Sequence, residues 1–560
     1  MTKLEEKQAL INAALGNIES DLCLKDILYL DVFNNIFRKG NISISQGRIV
    51  GLDHPRPAHQ TLDCRGKWLV PGFIDAHVHI ESSLMNPADF AQAVLPHGTT
   101  SAICDPHEIA NVEGVAGIEY FLNAAEQSPL DLFVMLSSCV PATHMETNGA
   151  GVITAEQLAH YKGHSRVLGL AEMMNGPGVL SGDKSCLEKL TLFEGTNIDG
   201  HAPTLCGQAL SAYIAAGIST CHETTSFNEG LEKIRKGMKV WIREGSVAKD
   251  VAALAPLLNS NTIQSLGFCT DDRNPYDIFH EGHVDFLLKK MIALGAQPEH
   301  CFRAASFSVA QHYRLTNRGA IAPGCWADCV MLDDVSSVAI NRVWLRGRNV
   351  SEVSASRVTT PTAFLNSVHV KPLAPIDFVG PEGSVHVIVV NENSLLTDSI
   401  VMQNTDLGVA RLSVVERHGG FSRPMNAYVY GFGEQFDGAM ASSVGHDSHN
   451  VTVVGSNELD MATAVNALKQ MGGGFVVARR DSVLASLPLP IAGLMSQSSS
   501  VEIVRGIDAL RAASRSIGCH LNEPFLQLAF LSLPVIPKLK LTDKGLVDVE
   551  AFKIIPVRAS

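Results

Sequence analysis

The stretch VPGFIDAHVHIESS, Val70 to Ser83, decides the fold. Leu69, Val70, Phe73 and Ile74 form a short apolar run, broken by Pro71-Gly72, that reads as a buried strand. It ends in Asp75-Ala76-His77-Val78-His79. Strand alternation puts His77 and His79 on one face, about 6.6 Å apart along the backbone. Two neutral imidazoles so placed can bind one divalent ion. HxH alone is common, so its setting matters: the C-terminal end of a buried strand is where barrel enzymes keep their chemistry. The requirement is that later strands deliver further ligands in the same way.

At 560 residues the chain exceeds one compact core, and two or three domains are expected. Apolar residues at 46% and charged residues at 18% describe a folded globular protein. A formal charge of -13 argues against nucleic acid or an anionic membrane as partner and leaves a small molecule. Twelve cysteines without a regular framework suit a reducing cytoplasm. The opening MTKLEEKQALINAALG has no signal-like apolar core, and no uncharged apolar stretch reaches the roughly 18 residues of a membrane span. A cytoplasmic protein is expected, and a homodimer, since closed two-fold assemblies are commonest.

Leu4, Leu10, Ile11, Ala14, Leu15 and Ile18 predict an amphipathic helix within residues 1–20. Short strands separated by Asn-, Gly- and Pro-containing turns follow over 21–70, and the pattern returns over 319–370. The two flanks are expected to join as one small β-sandwich. Between them, over 71–318, seven further strand-like runs alternate with helical ones: Thr100–Asp105, Leu132–Ser138, Arg166–Glu172, Asn197–Ala202, Ile218–Glu223, Lys239–Ser246 and Leu266–Asp272. Eight βα units over roughly 250 residues predict an α/β fold, a TIM-like (β/α)8 barrel. A doubly wound sheet would not need eight strand ends carrying polar residues. A C-terminal α/β (α+β) domain is expected over 375–560.

At the ends of the barrel strands stand Glu172, His201, His222 and Asp271, beside His77 and His79. Four imidazoles and two carboxylates suit two divalent ions, with Glu172 bridging and Asp271 touching one ion and a bridging hydroxide. N/O donors of this kind suit manganese, iron or zinc. Water at such a site becomes a usable nucleophile near neutral pH.

The HxH after a PGFIDAH strand, the GRI and GKWLVPG flanks, and GAIAPGCWADCVMLD resemble the amidohydrolase superfamily. Within it, the chain resembles the bacterial adenine deaminase family. AHVHIESS, ICDPHEIANV, SCVPATHMETNGA, GLAEMMN, DGHAP, HETTS, GMKVWIREGS and CTDDRNP carry the likeness, with VGHDSHN and LPLPIAGLMS further on. Glu172 stands where many superfamily members carry a carbamylated lysine, against the dihydroorotase and hydantoinase branch. The resemblance implies His77, His79, Glu172, His201, His222 and Asp271 as ligands of two ions, manganese foremost, and Asp271 as proton shuttle. It implies hydrolysis of adenine to hypoxanthine and ammonia, a step of purine salvage, by a metal-activated hydroxide attacking C6. Another amidohydrolase cleaving a cyclic amide, or a metal-free scaffold on the same fold, are the competing readings; the scaffold is disfavoured because no ligand is missing.

Further candidates surround this set. Glu81, Ser82 and Ser83 follow HxH and either line the mouth or cap a helix. Asp105 and His107 suit contacts to substrate or to the ligands. Arg243 and Glu244 suit such contacts or a local ion pair. His446, Asp447, His449 and Asn450 form a dense polar cluster that could close over the barrel, bind an ion or cap a turn. Three look-alikes fail: His280-Glu281-Gly282-His283 is one residue short of HExxH, His144-Met145-Glu146 has no following PCxxC, and Gly472 to Gly474 lacks a GK[ST]. Cys325 and Cys329 read as buried thiols.

Overall fold

Pro71 and Gly72 cut the opening run into two strands that belong to different sheets. In the computed structural model, which describes residues 2–52, 54, 56–392, 394–419 and 423–559, Trp68–Pro71 pairs antiparallel with Cys329–Asp334, and the chain restarts as β1, Phe73–Val78. The single strand expected from the apolar run is therefore corrected. Pro71 has no N–H to donate, and a Cβ on Gly72 would lie 2.1 Å from Thr100 Oγ1.

From β1 the pattern of strand then helix repeats. The strands are β2 Thr99–Cys104, β3 Asp131–Leu136, β4 Val167–Met173, β5 Asn197–Gly200, β6 Thr220–Cys221, β7 Lys239–Arg243 and β8 Leu266–Cys269. β1 to β5 form one parallel sheet and β6 to β8 another, both in sequential order. The sheets meet at both edges. Val78 bridges in parallel to Asp271, whose amide donates to the His77 carbonyl at 3.0 Å; opposite, the Ser219 amide donates to the Ile198 carbonyl at 2.9 Å. Period-two alternation sorts the side chains: Val240 and Ile242 of β7 join Val284, Leu287 and Phe302, while Trp241 between them packs with Ile74, Ile103, Met135, Ala171 and Cys269.

The flanks combine in one eight-stranded sheet. Ser20–Asp31, Ile36–Ser45, Arg48–Gly51, Ala58–Asp63 and Trp68–Pro71 precede β1, while Cys329–Asp334, Ala339–Leu345 and Arg348–Asn349 follow β8. The first helix is Lys3–Leu15; of its residues only Ala13 is buried, and Leu4, Ile11 and Leu15 are exposed.

The C-terminal part is built on a second eight-stranded sheet running from Thr397–Gln403 at one edge to Ser482–Pro488 at the other. Helices Glu458–Gln470 and Ser500–Ser516 pack on it. One apolar cluster runs from Val78, Ile80 and Leu84 to Val444, Met495, Leu528 and Leu541, so this part is cored together with the strand ends of the first. Among the described residues no helix is long and apolar enough to cross a membrane.

Candidate metal centre

The strand ends bring His77, His79, Glu172, His201, His222 and Asp271 into one buried cluster, none more than 7% exposed. Glu172 stands between two sets of imidazoles. Its Oε1 lies 3.2 Å from His79 Nε2 and 3.6 Å from His77 Nε2; its Oε2 lies 2.8 Å from His201 Nδ1 and 3.3 Å from His222 Nε2. Asp271 Oδ1 closes the first set, 3.2 Å from His79 Nε2 and 3.5 Å from His77 Nε2. Donors about 2.0–2.2 Å from a common ion lie about 3.0–3.5 Å from one another, and the first set has this spacing. His77, His222 and Asp271 form one close triad and Glu172, His201 and His222 another, the donors of each within 4.8 Å of one another.

Backbone and neighbours aim these side chains. Asp271, two residues past β8, has φ at +53°, the left-handed region that few non-glycine residues adopt and that aspartate tolerates better than most. Its amide and carbonyl are tied to β1, and Arg243 Nη1 donates to its Oδ2 at 2.9 Å, leaving Oδ1 toward the imidazoles. His79 Nδ1 lies 3.0 Å from the Asp105 carbonyl, an acceptor, so Nδ1 carries a proton and Nε2 is the nitrogen that would face an ion. Asp105 itself accepts from Ser137 Oγ at 2.9 Å and lies 2.8 Å from His107 Nδ1.

The electrostatics call for positive charge. Burial pulls the His77 imidazole down, yet the Asp271 and Glu172 carboxylates outweigh it and push it up to about 10. His79 is raised in the same way, against burial, by Asp271 and Glu172. Burial works against the carboxylate charge of Glu172 and Asp271, but the surrounding imidazoles hold both well below the usual carboxylate range. Bound cations satisfy the same demand while releasing those protons. His201 Nε2 is buried with no hydrogen-bond partner among the described residues, a further donor to spare. The residues present fit divalent metal.

The remaining sequence candidates divide. His107 faces Glu172 Oε1 from 3.5 Å, and Arg243 reaches the centre through Asp271. Ser82 Oγ donates to Asp272 Oδ1 at 2.5 Å at the mouth. His446 and Asp447 line the same cavity as the ligands, and His446 Nδ1 lies 2.6 Å from Glu108 Oε1 while His449 Nε2 pairs with Glu108 Oε2. Glu81 and Glu244 do not line the cavity: Glu81 accepts from the Ile109 amide at 3.1 Å, and Glu244 pairs with Lys290 and caps Val251. Sequence reasoning passed over Glu108, Glu223 and Asp272, which do line it. Glu223 and Asp272 directly follow the candidate ligands His222 and Asp271, and Glu108 follows His107; that adjacency was the available signal.

Comparison with known proteins now has a geometry to stand on. Residues 68–392 match the family model described as the amidohydrolase family, and 389–553 match the adenine deaminase C-terminal domain. The chain belongs to the amidohydrolase family. It is 47% identical to an adenine deaminase of Gluconobacter oxydans (strain 621H), over 96% of this chain and 98% of that protein. It is 48% identical to one of Methylobacterium sp. (strain 4-46), over 97% and 98%. Within the amidohydrolases it is thus a member of the adenine deaminase family. Among solved structures, a zinc-bound adenosine deaminase from Xanthomonas campestris aligns over 62% of this chain and 96% of its own, at 14% identity and a TM-score of 0.44.

Proposed function

We propose that this chain hydrolyses adenine to hypoxanthine and ammonia, at two divalent ions held by His77, His79, Glu172, His201, His222 and Asp271. The ring of β1 to β8 is read as a (β/α)8 barrel over 71–318, with a flanking β unit from 21–70 and 319–370 and a C-terminal domain over 375–560. The observation that carries the reading is Glu172, whose two oxygens face different imidazole sets, as a carboxylate shared by two ions requires. Manganese is the expected metal, with iron or zinc compatible with these N/O donors. Twelve free cysteines suit a cytoplasmic setting for this purine-salvage step.

Divalent ions bound there supply Lewis acidity, which makes water acidic enough to attack carbon near neutral pH. The chain's own residues manage the protons. The imidazoles, with Arg243 behind them, keep Asp271 ionised, and Arg243 turns Oδ1 inward, so Oδ1 can take the proton of the attacking water as oxygen adds to C6. The same carboxyl returns that proton to the ring nitrogen beside C6, giving a tetrahedral carbon bearing OH and NH2. The hydroxyl proton, passed on to the amine, lets the C6–N bond break with its electron pair leaving on ammonia. Met174, Leu395, Phe530, Leu533 and Ile536 line the same cavity as the ligands and give it an apolar wall.

The test is ammonia release from adenine by protein reconstituted with manganese, beside cytosine, dihydroorotate and hydantoin. Turnover of adenine, abolished by chelation, is expected. Turnover of a cyclic amide without adenine would overturn the assignment and leave the metal centre standing.

A further inference from the structure

Six carboxylates line the cavity over the metal centre, of which Glu172 and Asp271 face the imidazoles. Glu223 is gripped by Arg243. Asp272 accepts from Ser82. Glu108 has one oxygen close beside His446 Nδ1 and the other close beside His449 Nε2, ion-pair contacts between two segments. Asp447 is different. It is 1% exposed, its Oδ1 is 3.8 Å from His107 Nε2 and 3.9 Å from His446 Nδ1, and its Oδ2 has no partner among the described residues. A buried carboxylate oxygen without a donor is costly and calls for a partner, whether water, ion or ligand, and Asp447 is the one that also lines the cavity with no ion-pair contact closer than 3.8 Å among the described residues.

Position and surroundings indicate which ligand group that is. The His107 ring lies between Asp447 and the centre: its Nε2 faces Asp447 and its Nδ1 faces Glu172 Oε1 at 3.5 Å. Asp447 therefore stands across the His107 ring from the candidate ligands and lines the same cavity as they do. Leu395, Phe530 and Ile536 line the same cavity and offer apolar contact to a flat ring. Adenine as the free base carries one ring N–H, on its five-membered ring, and a substituent there removes it.

We propose that Asp447, delivered by the C-terminal part of the chain, recognises the free base: its Oδ2 accepts the N–H of the five-membered ring and so excludes purines substituted at that nitrogen. This rests on the adenine reading above. A site built to hydrogen-bond a substrate N–H rejects analogues lacking it far better than an apolar pocket rejects a methyl group.

The experiment compares adenine as substrate with 9-methyladenine as substrate and inhibitor, for the wild type, Asp447→Ala and Asp447→Asn. The wild type should turn over adenine and ignore 9-methyladenine. In Asp447→Ala, kcat/KM for adenine should fall about 10- to 100-fold, mainly through KM, as loss of a charge-assisted hydrogen bond predicts. Bound metal should not change, and 9-methyladenine should now inhibit with an affinity within about tenfold of adenine's KM. The near-isosteric Asp447→Asn keeps the fold if alanine does not, and should lie between the two. Unchanged discrimination in a folded variant would overturn the role of Asp447 alone. A wild type silent on adenine would overturn the function, and this inference with it.

Discussion

Asp271 divides its carboxylate between two tasks: Oδ2 is held by Arg243 and Oδ1 faces His77 and His79. Asp271→Asn keeps the shape and an oxygen donor but loses the proton acceptor. It should retain most of its metal, read by elemental analysis, while kcat for adenine falls by about 10²- to 10⁴-fold; a variant that keeps its rate would sink the shuttle role. Glu108 supports a prediction in pH. Burial lowers the His446 imidazole, but Glu108 and Asp272 more than offset this and push it from 6.5 up to about 9. His449 is instead carried down to about 4, chiefly by burial, and stays neutral. A raised pKa stabilises the fold fully below 6.5, and the contribution fades as pH rises through about 9. Its size is on the order of 3 kcal/mol. Glu108→Gln should therefore melt well below the wild type at pH 6, with the gap narrowing by pH 10. A gap independent of pH in thermal melts would contradict the clamp.

At the scale of elements, short strands do the positioning. β6 is two residues long, yet it delivers His222 directly after its end. Such brevity is invisible to periodicity, which expected Ile218–Glu223, because only neighbours in the sheet decide where a ladder stops. β4 carries Glu172 and pairs closely with β5 at Gly169, where an added Cβ would meet the Asn197 carbonyl oxygen at 1.9 Å. Gly169→Ala must push the two strands apart. It should cost about 1–3 kcal/mol, and because Glu172 and His201 sit at the ends of these two strands, metal content should fall with the melting temperature. An unshifted melt and full metal loading would show that the pairing yields without moving Glu172.

For the whole molecule, the continuity of the core is the decisive feature. Val444, Met495, Leu528 and Leu541 share a cluster with Val78, Ile80 and Leu84 beside the candidate ligands. A chain ending at residue 370 would expose that surface and lose both the Glu108 clamp and the cavity's apolar cover. It should be recovered as aggregate or bind hydrophobic dyes strongly, whereas a monodisperse, metal-loaded fragment would show that the barrel region folds independently of its cover.

The six candidate ligands were legible in the chain because each stands at or just past the end of an apolar strand, a one-dimensional signal that local alternation and spacing carry. Glu172 in AEMMN and Asp271 in CTDD also carry the family resemblance, which extends over nearly the whole chain. What only the tertiary structure decided is which second neighbours matter. Glu223 and Asp272 acquire roles because Arg243 and Ser82 reach them, and Glu244 loses one because Lys290 claims it. The polar cluster at 446–450 was visible as a cluster, but its setting was not: His446 and His449 meet Glu108 across more than 300 residues. No local pattern encodes such a meeting, since it is fixed by how two separately patterned regions bury their apolar faces against each other.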